Sequence, residues 1–580
     1  MDKKKVAEIL DEMGTLLEIK GANPFRCRAF HNAAINVESL SEDLGELASN
    51  DRLTEVPGIG KGIAQVIKDL VESGSSSEYE EIKKSLPPGL PELIKIPGLG
   101  PKRVKLLYEK LNIDSLAALE QAATTHRLSD TPGFGKKSEE NILKGIARLS
   151  KSQTKFHINT ALSSAENLIA FLGRQKGVKR CEIAGSLRRR KELIGDIDLL
   201  VSCGEKERRN ILGKFVHYPD IQSILGQGDT KASVRLHSGI QCDLRVVKDS
   251  EFAFALNYFT GSKEHNVEVR TRARALGLSL NEYGFSALKE WKKSKKVPVC
   301  SKEEDIYKTL GLAYIPPELR ENLGEFEAAE KNRIPRLLEM GDLRGTFHCH
   351  TTYSDGRSTL KEMAAAAKKQ GWDYWGVADH SGTAVYAHGL TKERIRAQHA
   401  EIDLLNSSLK GFRVFKGIEC DILPDGSLDM SDDDLSAFDY VVASIHSKLN
   451  MSENEATSRL IKALKNKRVT FVGHPTGRIL LERDAYPVNI REVIDAAADY
   501  GKGMEINSHP VRLDLDWRIL RYVKEKKVKI FINPDAHSAG GLLDVRYGVG
   551  IARKGWLEAP DVVNTWPLKK VAAFFGGQDA

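Results

Sequence analysis

The chain has 580 residues, of which 41% are hydrophobic and 29% charged, and its formal net charge is +7. This length is too great for one hydrophobic core, so about three or four domains are expected. No stretch approaches the ~18 consecutive apolar residues of a transmembrane helix, and no apolar signal segment follows the N-terminal Met-Asp-Lys-Lys-Lys. We therefore expect a cytoplasmic protein without a membrane partner.

The cysteine content and the charge narrow the function classes further. The seven cysteines are scattered along the chain without a C-x-x-C pair, which argues against a disulfide framework and against a zinc ribbon. The positive net charge favours a polyanionic partner, although spread over 580 residues it is modest.

Three short glycine turns recur in the first 150 residues, and each precedes a helical pattern of apolar residues. They read V-P-G-I-G-K at 56–61, I-P-G-L-G-P-K at 96–102 and T-P-G-F-G-K at 131–136. Glycine lets such a turn direct its N–H groups outward, and the helix N-terminus that follows favours an anionic phosphate. A single turn is equally consistent with an ordinary helix connection. Three of them in a basic protein predict nucleic-acid binding that tolerates any sequence and weakens with salt.

These turns share P-G-h-G, where h is apolar, and they resemble helix-hairpin-helix motifs. The resemblance implies two all-α domains, residues 1–85 for binding DNA ends and residues 86–150 for further DNA contacts. The DNA-binding residues it implies are Gly58, Gly60, Lys61, Gly98, Gly100, Lys102, Gly133, Gly135 and Lys136.

From about residue 151 the pattern becomes mixed helix and strand, and it contains G-S-L-R-R-R-K-E-L-I-G-D-I-D at 185–198. Asp196 and Asp198 are two apart on a predicted strand, so their side chains lie on one face. Carboxylate pairs of this kind hold Mg²⁺ together with substrate phosphates. An isolated D-x-D is more often a solvated edge, but the Gly-Ser turn and the arginines beside it favour a metal site. On a second alternating strand, 240–246, Asp243 is the candidate third carboxylate.

Together with Y-F-T-G-S at 258–262 and N-E-Y-G at 281–284, these motifs resemble X-family DNA polymerases over residues 1 to about 320. The resemblance implies that Asp196, Asp198 and Asp243 are catalytic and hold two Mg²⁺ or Mn²⁺ ions. It implies a mixed α+β nucleotidyltransferase palm at 151–255 and a nucleotide-selecting domain at 256–318. The nucleotide-binding residues it implies are Gly185, Ser186, Arg189, Tyr258, Phe259, Gly261, Lys263, Asn266 and Arg270.

One position departs from the relatives that have lyase activity. They carry a Schiff-base lysine in the helix after the first hairpin, where this chain has Val66. Valine cannot form the imine, so we expect no lyase activity by that route. Lys61 and Lys68 are the lysines that could substitute for it.

After a linker at 319–341, residues 342–580 alternate short apolar strands with helices. The seven predicted strands are 346–347, 374–378, 413–415, 440–443, 469–472, 504–506 and 530–532, and a capping box at Thr359 and Glu362 begins the first helix. About seven β-α units predict a distorted (βα)7 TIM-like barrel with function at the C-terminal ends of its strands. The fold class is therefore multidomain α/β.

Histidines and acids follow these strands one after another. A single histidine at a strand end is usually packed or solvated, but nine such groups on one rim indicate a metal centre. The pattern resembles the PHP phosphoesterases, and the resemblance implies up to three Mn, Zn or Fe ions, which suit mixed imidazole and carboxylate ligands. The ligands it implies are His348, His350, Asp355, His380, Glu419, His446, His474, Asp535 and His537. Arg478 and Lys448 are either phosphate contacts or exposed charges.

The two resemblances together describe a bacterial or archaeal-type PolX, an X-family polymerase fused to a PHP domain. They imply a template-directed gap-filling DNA polymerase with 3′→5′ exonuclease, abasic-site cleavage and 3′-end trimming, in base excision repair. The expected partners are gapped or primer-template DNA and dNTP, bound by a monomer at the nucleoid. The alternatives are a small-molecule phosphatase with a DNA-binding accessory and a non-catalytic DNA-end-binding scaffold.

Overall fold

The computed structural model of the protein describes residues 3–40, 44–96, 98–129, 131–152, 155–288 and 297–576. It divides into two compact units, Met1–Thr154 and Lys155–Ala580. The predicted fold class is confirmed, with helical hairpin domains, a mixed palm and a parallel barrel-like sheet. None of the helices in the described ranges has the length and apolarity needed to cross a bilayer.

The first unit is helical throughout its described residues. Its helices are α1 (Lys3–Lys20), α2 (Pro24–Ser39), α3 (Leu44–Ser49), α4 (Lys61–Ser73), α5 (Ser77–Lys84), α6 (Leu90–Leu93), α7 (Pro101–Leu111), α8 (Leu116–Thr124) and α9 (Lys136–Ser152). Two apolar cores hold them together, one around Leu10 and Ile67 and the other around Leu93 and Leu107. The apolar faces of these amphipathic helices meet in the cores and leave the glycine turns outside.

The second unit begins with a sheet backed by helices. Its elements are β1 (Phe156–His157), α10 (Ile158–Gly173), β2 (Val178–Ile183), α11 (Gly185–Arg188), β3 (Leu193–Ile194), β4 (Asp196–Cys203), α12 (Arg208–Val216), β5 (Ile221–Gln227), β6 (Lys231–Leu236) and β7 (Gln241–Val247). The strand order is β2-β4-β7-β6-β5, and β4 runs parallel to β7. Alternation along β4 buries Ile197, Leu199 and Val201 in the core, so its carboxylates lie on the other face.

A smaller α+β part follows the sheet. It comprises α13 (Phe252–Thr260), α14 (Lys263–Ala275), β8 (Leu278–Asn281), β9 (Gly284–Ala287), α15 (Glu303–Thr309) and α16 (Glu325–Glu330). Its core includes Phe254, Tyr307 and Phe326, so residues on both sides of the predicted boundary at 318 share one apolar cluster. The 319–341 segment thus packs against this core through Leu319, Phe326, Ala329 and Leu337.

The remaining residues form a parallel sheet surrounded by helices. The strands are β10 (Tyr374–His380), β11 (Arg413–Asp421), β12 (Tyr440–Ser444), β13 (Phe471–Val472), β14 (Gly503–Asn507) and β15 (Ile530–Asn533), paired in chain order. The helices are α17 (Leu360–Lys369), α18 (Lys392–Ser408), α19 (Asp432–Leu435), α20 (Glu453–Leu464), α21 (Ile490–Asp499), α22 (Leu520–Glu525), α23 (Val545–Lys554) and α24 (Leu568–Gly576). The capping box of Thr359 and Glu362 begins α17 as predicted.

The first predicted strand of the barrel is the exception, because residues 346–350 form an irregular segment instead. The N–H groups of Gly376 and Ala378 in β10 donate to the carbonyls of Thr346 and Cys349, each at 2.8 Å. On the other side, His350 N donates to Ala536 O at 2.8 Å, just beyond β15. The segment therefore lies between the two edge strands without a continuous ladder of its own.

Aromatic side chains fill the N-terminal end of this barrel-like sheet. Their cluster consists of Phe347, Tyr374, Phe415, Tyr440, Phe471 and Phe531, with Phe575 of α24 packed against them. Gly376 and Gly417 leave the space that the Tyr440 ring occupies, because a Cβ at either position would overlap it. This aromatic cluster, called the aromatic floor below, lies at the end of the sheet opposite the strand ends that carry the histidines.

Gly417→Ala is expected to destabilise the protein by about 1–3 kcal/mol, because the added methyl group would overlap the fully buried Tyr440 ring. Thermal unfolding would measure the change. Gly341→Ala is the control, since no atom lies within 4 Å of a Cβ there. Equal unfolding temperatures for the two variants would contradict this packing.

Candidate active sites and nucleic-acid interface

The three glycine turns of the first unit have the same local geometry. Gly58, Gly98 and Gly133 have φ values of +78°, +85° and +89°, in the region that only glycine adopts without strain. In each turn the next residue donates its N–H three residues back, at 3.0–3.1 Å. Pro97 of the second turn lies outside the described residues.

Each turn leads directly into a helix with an exposed N-terminus. Gly60, Gly100 and Gly135 precede α4, α7 and α9, and a Cβ at any of them would meet no atom within 4 Å. The lysines at the helix starts, Lys61, Lys102 and Lys136, are exposed. An open glycine turn, a helix N-terminus and an exposed lysine thus coincide three times, an arrangement suited to a phosphate backbone.

The position predicted to lack the lyase lysine is buried. Val66 is 2% exposed in the core of α4. Lys68 is a poor substitute because its Nζ lies 2.6 Å from Asp51 Oδ1. The hydrogen bond to Asp51 and the charge of that carboxylate raise the pKa of Lys68, which disfavours the neutral amine that an imine requires.

The structure brings the three predicted polymerase carboxylates together at the ends of β4 and β7. Asp198 and Asp243 are direct partners in the parallel register, and Asp196 precedes them on the same face. Asp243 Oδ2 lies 2.5 Å from Lys231 Nζ, and Gln241 Nε2 donates to Asp243 Oδ1 at 3.0 Å.

These contacts shift the pKa values of Asp198 and Asp243 in opposite directions. Burial, then the charges of Asp196 and Asp243, raise the pKa of Asp198 to about 7. Burial acts to raise the pKa of Asp243 as well, but hydrogen bonds from Lys231, Gln241 and Ser233 outweigh it and lower that pKa. Repulsion among the acids is what a divalent cation would relieve, so the donor set fits such an ion.

Gly185 brings the nucleotide turn against this centre. Its φ is +63°, and a Cβ would overlap the Asp198 carboxylate, so only glycine fits there. Ser186 follows in the one-turn helix α11. Arg189, predicted to bind the triphosphate, pairs through its Nε with Glu321 Oε1 at 3.1 Å, and its Nη1 donates to Thr260 O.

The other predicted nucleotide residues surround the junction of α13 and α14. Gly261 lies against Arg189, whose Nη1 is 3.1 Å from an ideal Cβ at 261. Phe259 contacts the palm, because the Arg245 guanidinium lies 4.3 Å from its ring centroid.

A cleft on the same helices collects a second group of the predicted nucleotide residues. Asn266 Nδ2 donates to Tyr258 O at 2.7 Å, and Arg270 Nε donates to Asn266 O at 3.2 Å. Tyr258, Asn266 and Arg270 all line this cleft. Lys263 is exposed at the start of α14.

All nine predicted barrel ligands converge at the C-terminal ends of the strands. Glu419, 1% exposed, is central, and imidazole nitrogens of five histidines lie 3.0–3.6 Å from its carboxylate. Three groups have ligand atoms within 4.8 Å of one another: His350 with Asp355, His380 and His537; His348 with His350 and Asp535; and His380 with Glu419 and His446. The ninth residue, His474, places Nε2 3.0 Å from Glu419 Oε1.

Unpaired ring nitrogens show that this cluster fits metal ions. His348 Nε2, His350 Nδ1 and His380 Nδ1 are buried without a hydrogen-bond partner. Each nevertheless lies 3.0–3.8 Å from a carboxylate oxygen of Glu419, Asp535 or Asp355. Imidazole nitrogens and carboxylate oxygens therefore direct their lone pairs into one cavity, and together they form the donor set of a site for several metal ions.

Sequence reasoning missed a buried acid that orients one of these ligands. Glu505 Oε1 lies 2.8 Å from His348 Nδ1, and Asn533 Nδ2 donates to the same oxygen at 2.9 Å. His474 N donates to Glu505 Oε2 at 2.7 Å. Asp421 similarly lies 2.5 Å from His446 Nδ1. Glu505 lies within the predicted strand 504–506, whereas Asp421 ends β11, beyond the predicted strand 413–415. Acids at the strand ends of such a barrel are the signal that could have found them.

Arg478 is not available to a substrate phosphate. Its Nε donates to Arg512 O and its Nη1 to Asp516 Oδ2, both at 2.9 Å, and its Nη2 donates to Leu513 O. It therefore holds the loop after β14 in place. Lys448 is exposed.

Comparisons with known proteins identify related families for several segments of the chain. Models of a helix-hairpin-helix domain (residues 1–76), a SAM-like helix-hairpin-helix tandem (90–148), the DNA polymerase beta thumb (255–321) and the PHP domain (346–509) match the chain. A Bacillus subtilis protein named DNA polymerase/3′-5′ exonuclease PolX is 38% identical over all of both chains. DNA polymerase lambda of Rattus norvegicus is 24% identical over 54% of this chain and 56% of its own. A probable phosphatase of Thermoanaerobacter is 31% identical over 33% of this chain and 77% of its own.

Hairpin domains, the palm carboxylates and the PHP cluster thus define an X-family DNA polymerase joined to a PHP domain. The match over the full length of both chains goes further: the chain belongs to the PolX family.

Asp198→Asn is expected to change how the stability of the metal-free protein depends on pH. In wild type the pKa of Asp198 rises from 3.8 in the unfolded chain to about 7 in the folded protein. Between these values the folded state holds the proton that the unfolded state releases, so stability falls as pH rises. Asparagine stays neutral, so the variant should gain on the order of 2–4 kcal/mol over wild type between pH 4 and pH 8. Chemical unfolding with chelator present would measure this gain, and a constant difference across this range would refute the effect.

Glu505→Gln is expected to weaken metal retention by the barrel about 10–100-fold, because the amide no longer fixes His348 with a negative charge. Metal content after dialysis, measured by elemental analysis, reports this without any activity assay. Glu525→Gln, an exposed acid on α22, is the control. Equal metal content in the two folded variants would show that Glu505 does not orient the site.

Proposed function

We propose that the protein is a template-directed, gap-filling DNA polymerase with a 3′→5′ exonuclease in its PHP domain. The observation that carries the proposal is the presence of two separate acidic centres in one compact unit, one on β4 and β7 and the other on the barrel rim. The name of the Bacillus subtilis relative, which covers the whole chain, supports the same pair of activities.

In the polymerase centre, Asp196, Asp198 and Asp243 would hold two Mg²⁺ or Mn²⁺ ions. Bound ions supply positive charge that stabilises the pyrophosphate leaving group and eases ionisation of the primer 3′-OH. Asp243 is the acceptor for that proton, because Lys231 and Gln241 keep it ionised. Gly185 lets the turn approach the centre, and Ser186 donates its hydroxyl hydrogen to the triphosphate.

The remaining nucleotide residues orient the dNTP. Arg189 neutralises triphosphate charge, for which its guanidinium must leave Glu321 at least in part. Tyr258, Phe259 and Gly261 lie against the sugar. Asn266 and Arg270 lie near the nascent base pair, and the exposed Lys263 is either a nucleotide contact or a solvated lysine.

In the barrel, the nine ligands would hold up to three Mn, Zn or Fe ions, which suit mixed imidazole and carboxylate donors. Bound ions supply Lewis acidity for phosphodiester hydrolysis. The chain's own part is to direct the imidazole nitrogens inward and to keep His350 neutral, because burial, then His380 and His537, lower the pKa of that ligand to about 3. The same centre would cleave at abasic sites and remove blocked 3′ ends.

The substrates are gapped or primer-template DNA and dNTP, held through the three hairpin turns without base readout. The proposed domains are 1–85, 86–150, 151–255, 256–318, the linker 319–341 and 342–580. We place a monomer at the nucleoid in the cytoplasm, where filling and trimming serve base excision repair.

A second candidate activity is hydrolysis of small phosphate esters by the barrel alone. The match of a third of the chain to a protein named as a probable phosphatase favours testing it. The three exposed hairpin turns favour DNA as the substrate instead. Equal turnover of p-nitrophenyl phosphate and of a DNA 3′ end would establish the small-ester activity.

Two variants of the full chain separate the centres. Asp196→Ala with Asp198→Ala should lower nucleotide incorporation by at least about 10³-fold, since the ions of that centre lose their ligands, and leave Mn²⁺-dependent exonuclease within about twofold. His348→Ala should do the reverse. Gap filling and 3′-end degradation are measured on the same labelled gapped duplex.

Asp433→Ala, an exposed acid on α19, is the control for both activities. Loss of exonuclease in the double palm variant, with unchanged unfolding temperature, would refute two independent centres. Full activity in every variant would show that residues other than Asp196, Asp198 and His348 carry the two activities.

A further inference from the structure

A buried lysine of the barrel reaches into the polymerase half of the same unit. Lys554, the last residue of α23, has a side chain that is 0% exposed. Its Nζ donates to Glu321 Oε1 at 2.5 Å, to Arg189 O at 3.1 Å and to Glu318 O at 3.2 Å. An ammonium group has three donors, so all of them are used by acceptors that lie outside the barrel.

Glu321 receives cations from three directions. Besides Lys554, Arg189 Nε lies 3.1 Å from its Oε1 and Lys191 Nζ lies 2.9 Å from its Oε2. Burial acts to raise the pKa of Glu321, but Lys554 and then Arg189 and Lys191 outweigh it and lower that pKa to about 2. One carboxylate shared among three cations cannot neutralise any of them fully.

The segment that begins at Arg189 also contacts the barrel at its other end, at Glu192. Trp517 Nε1 donates to Glu192 Oε2 at 3.2 Å. The Trp517 ring lies 5.1 Å from Lys191 Nζ and 4.6 Å from Lys554 Nζ, both within cation–π range. Residues 189–192, directly after the predicted triphosphate turn, are thus held by the barrel at both ends.

Removing Lys554 would change the nucleotide turn in two ways that act together. The Arg189 carbonyl would lose the buried Lys554 ammonium as its hydrogen-bond donor. The nucleotide turn would then no longer be attached to α23. Glu321 would then be shared by Arg189 and Lys191 alone, so it would bind the Arg189 guanidinium more strongly. Both changes oppose contact between Arg189 and a triphosphate.

We propose that Lys554, although part of the PHP domain, is a positioning residue for the polymerase centre. It holds the Arg189 backbone and shares Glu321, so that Glu321 binds the Arg189 guanidinium less strongly and the guanidinium can move to the triphosphate of an incoming nucleotide. This inference rests on the proposed polymerase function. It makes nucleotide affinity depend on a barrel residue that contacts the backbone of Arg189 and the carboxylate of Glu321.

Lys554→Met in the full chain is expected to raise the KM for dNTP in single-gap filling about tenfold, with kcat within about twofold, because the lost interaction acts on triphosphate binding. Exonuclease activity should stay within about twofold of wild type. Arg553→Met is the matched control, since Arg553 lies next to Lys554 on α23 and pairs with Glu318 Oε1 at 2.7 Å without reaching Arg189 or Glu321. Its KM should equal that of wild type.

The charge-balanced pair Lys554→Met with Glu321→Gln distinguishes positioning from general loosening. If Lys554 acts by sharing Glu321, removing the carboxylate charge frees Arg189 and should return the KM at least half-way toward wild type on a logarithmic scale. A loosened interface would instead make the double variant worse than either single one. Lys554→Gln, which keeps donors at the position, replaces the methionine variant if that one does not fold.

A folded Lys554 variant with wild-type KM, or one matched by Arg553→Met, would overturn the inference while leaving the polymerase function intact. Absence of incorporation by the wild-type protein would instead refute the proposed function itself. The two failures are therefore distinct in the same assay.

Discussion

The barrel depends on keeping five imidazoles around one buried carboxylate. Glu419 has almost no exposure, and histidines from the first segment and from three strand ends approach it within 3.6 Å. Burial alone would favour the protonated acid, but the charges of His348, His446 and His380 lower the pKa of Glu419 instead. Groups with such strong mutual interactions stay in place only if the surrounding backbone cannot relax. The parallel strands and the aromatic cluster beneath them provide that rigidity.

The palm meets a related constraint with fewer groups. Its carboxylates are brought together by strand register, with Asp198 opposite Asp243, and Lys231 offsets part of their repulsion. In the barrel, Glu505 orients the ligand His348 through a hydrogen bond. In the palm, Gln241 plays the same part by donating to one oxygen of Asp243. In both centres a second layer of polar contacts sets the orientation and charge of the groups that would meet the ion.

Much of this arrangement was accessible from the sequence because it depends on short periodicities. Alternation along 196–198 and 240–246 predicted which carboxylates share a face, and the strand ends predicted all nine barrel ligands that the structure brings together. The glycine turns were equally readable, since positive φ at Gly58 and its equivalents follows from local steric limits.

The features that the sequence did not predict depend on contacts between segments that are distant in the chain. The pairing of Arg189 with Glu321 joins residues 132 positions apart, and no local pattern signals it. Glu505 was missed because a lone acid inside an apolar strand looks the same whether it supports a ligand or a loop. The irregular segment 346–350 could not be foreseen either, because its hydrogen bonds go alternately to β10 and to Ala536, beyond β15.

The aromatic floor of the barrel has a consequence for traffic through the PHP centre. Phe347, Tyr440, Phe531 and Phe575 close the N-terminal end with stacked and edge-on rings in the part of the chain that the structure describes. A DNA end and the nucleotide cut from it must then share one mouth at the opposite rim.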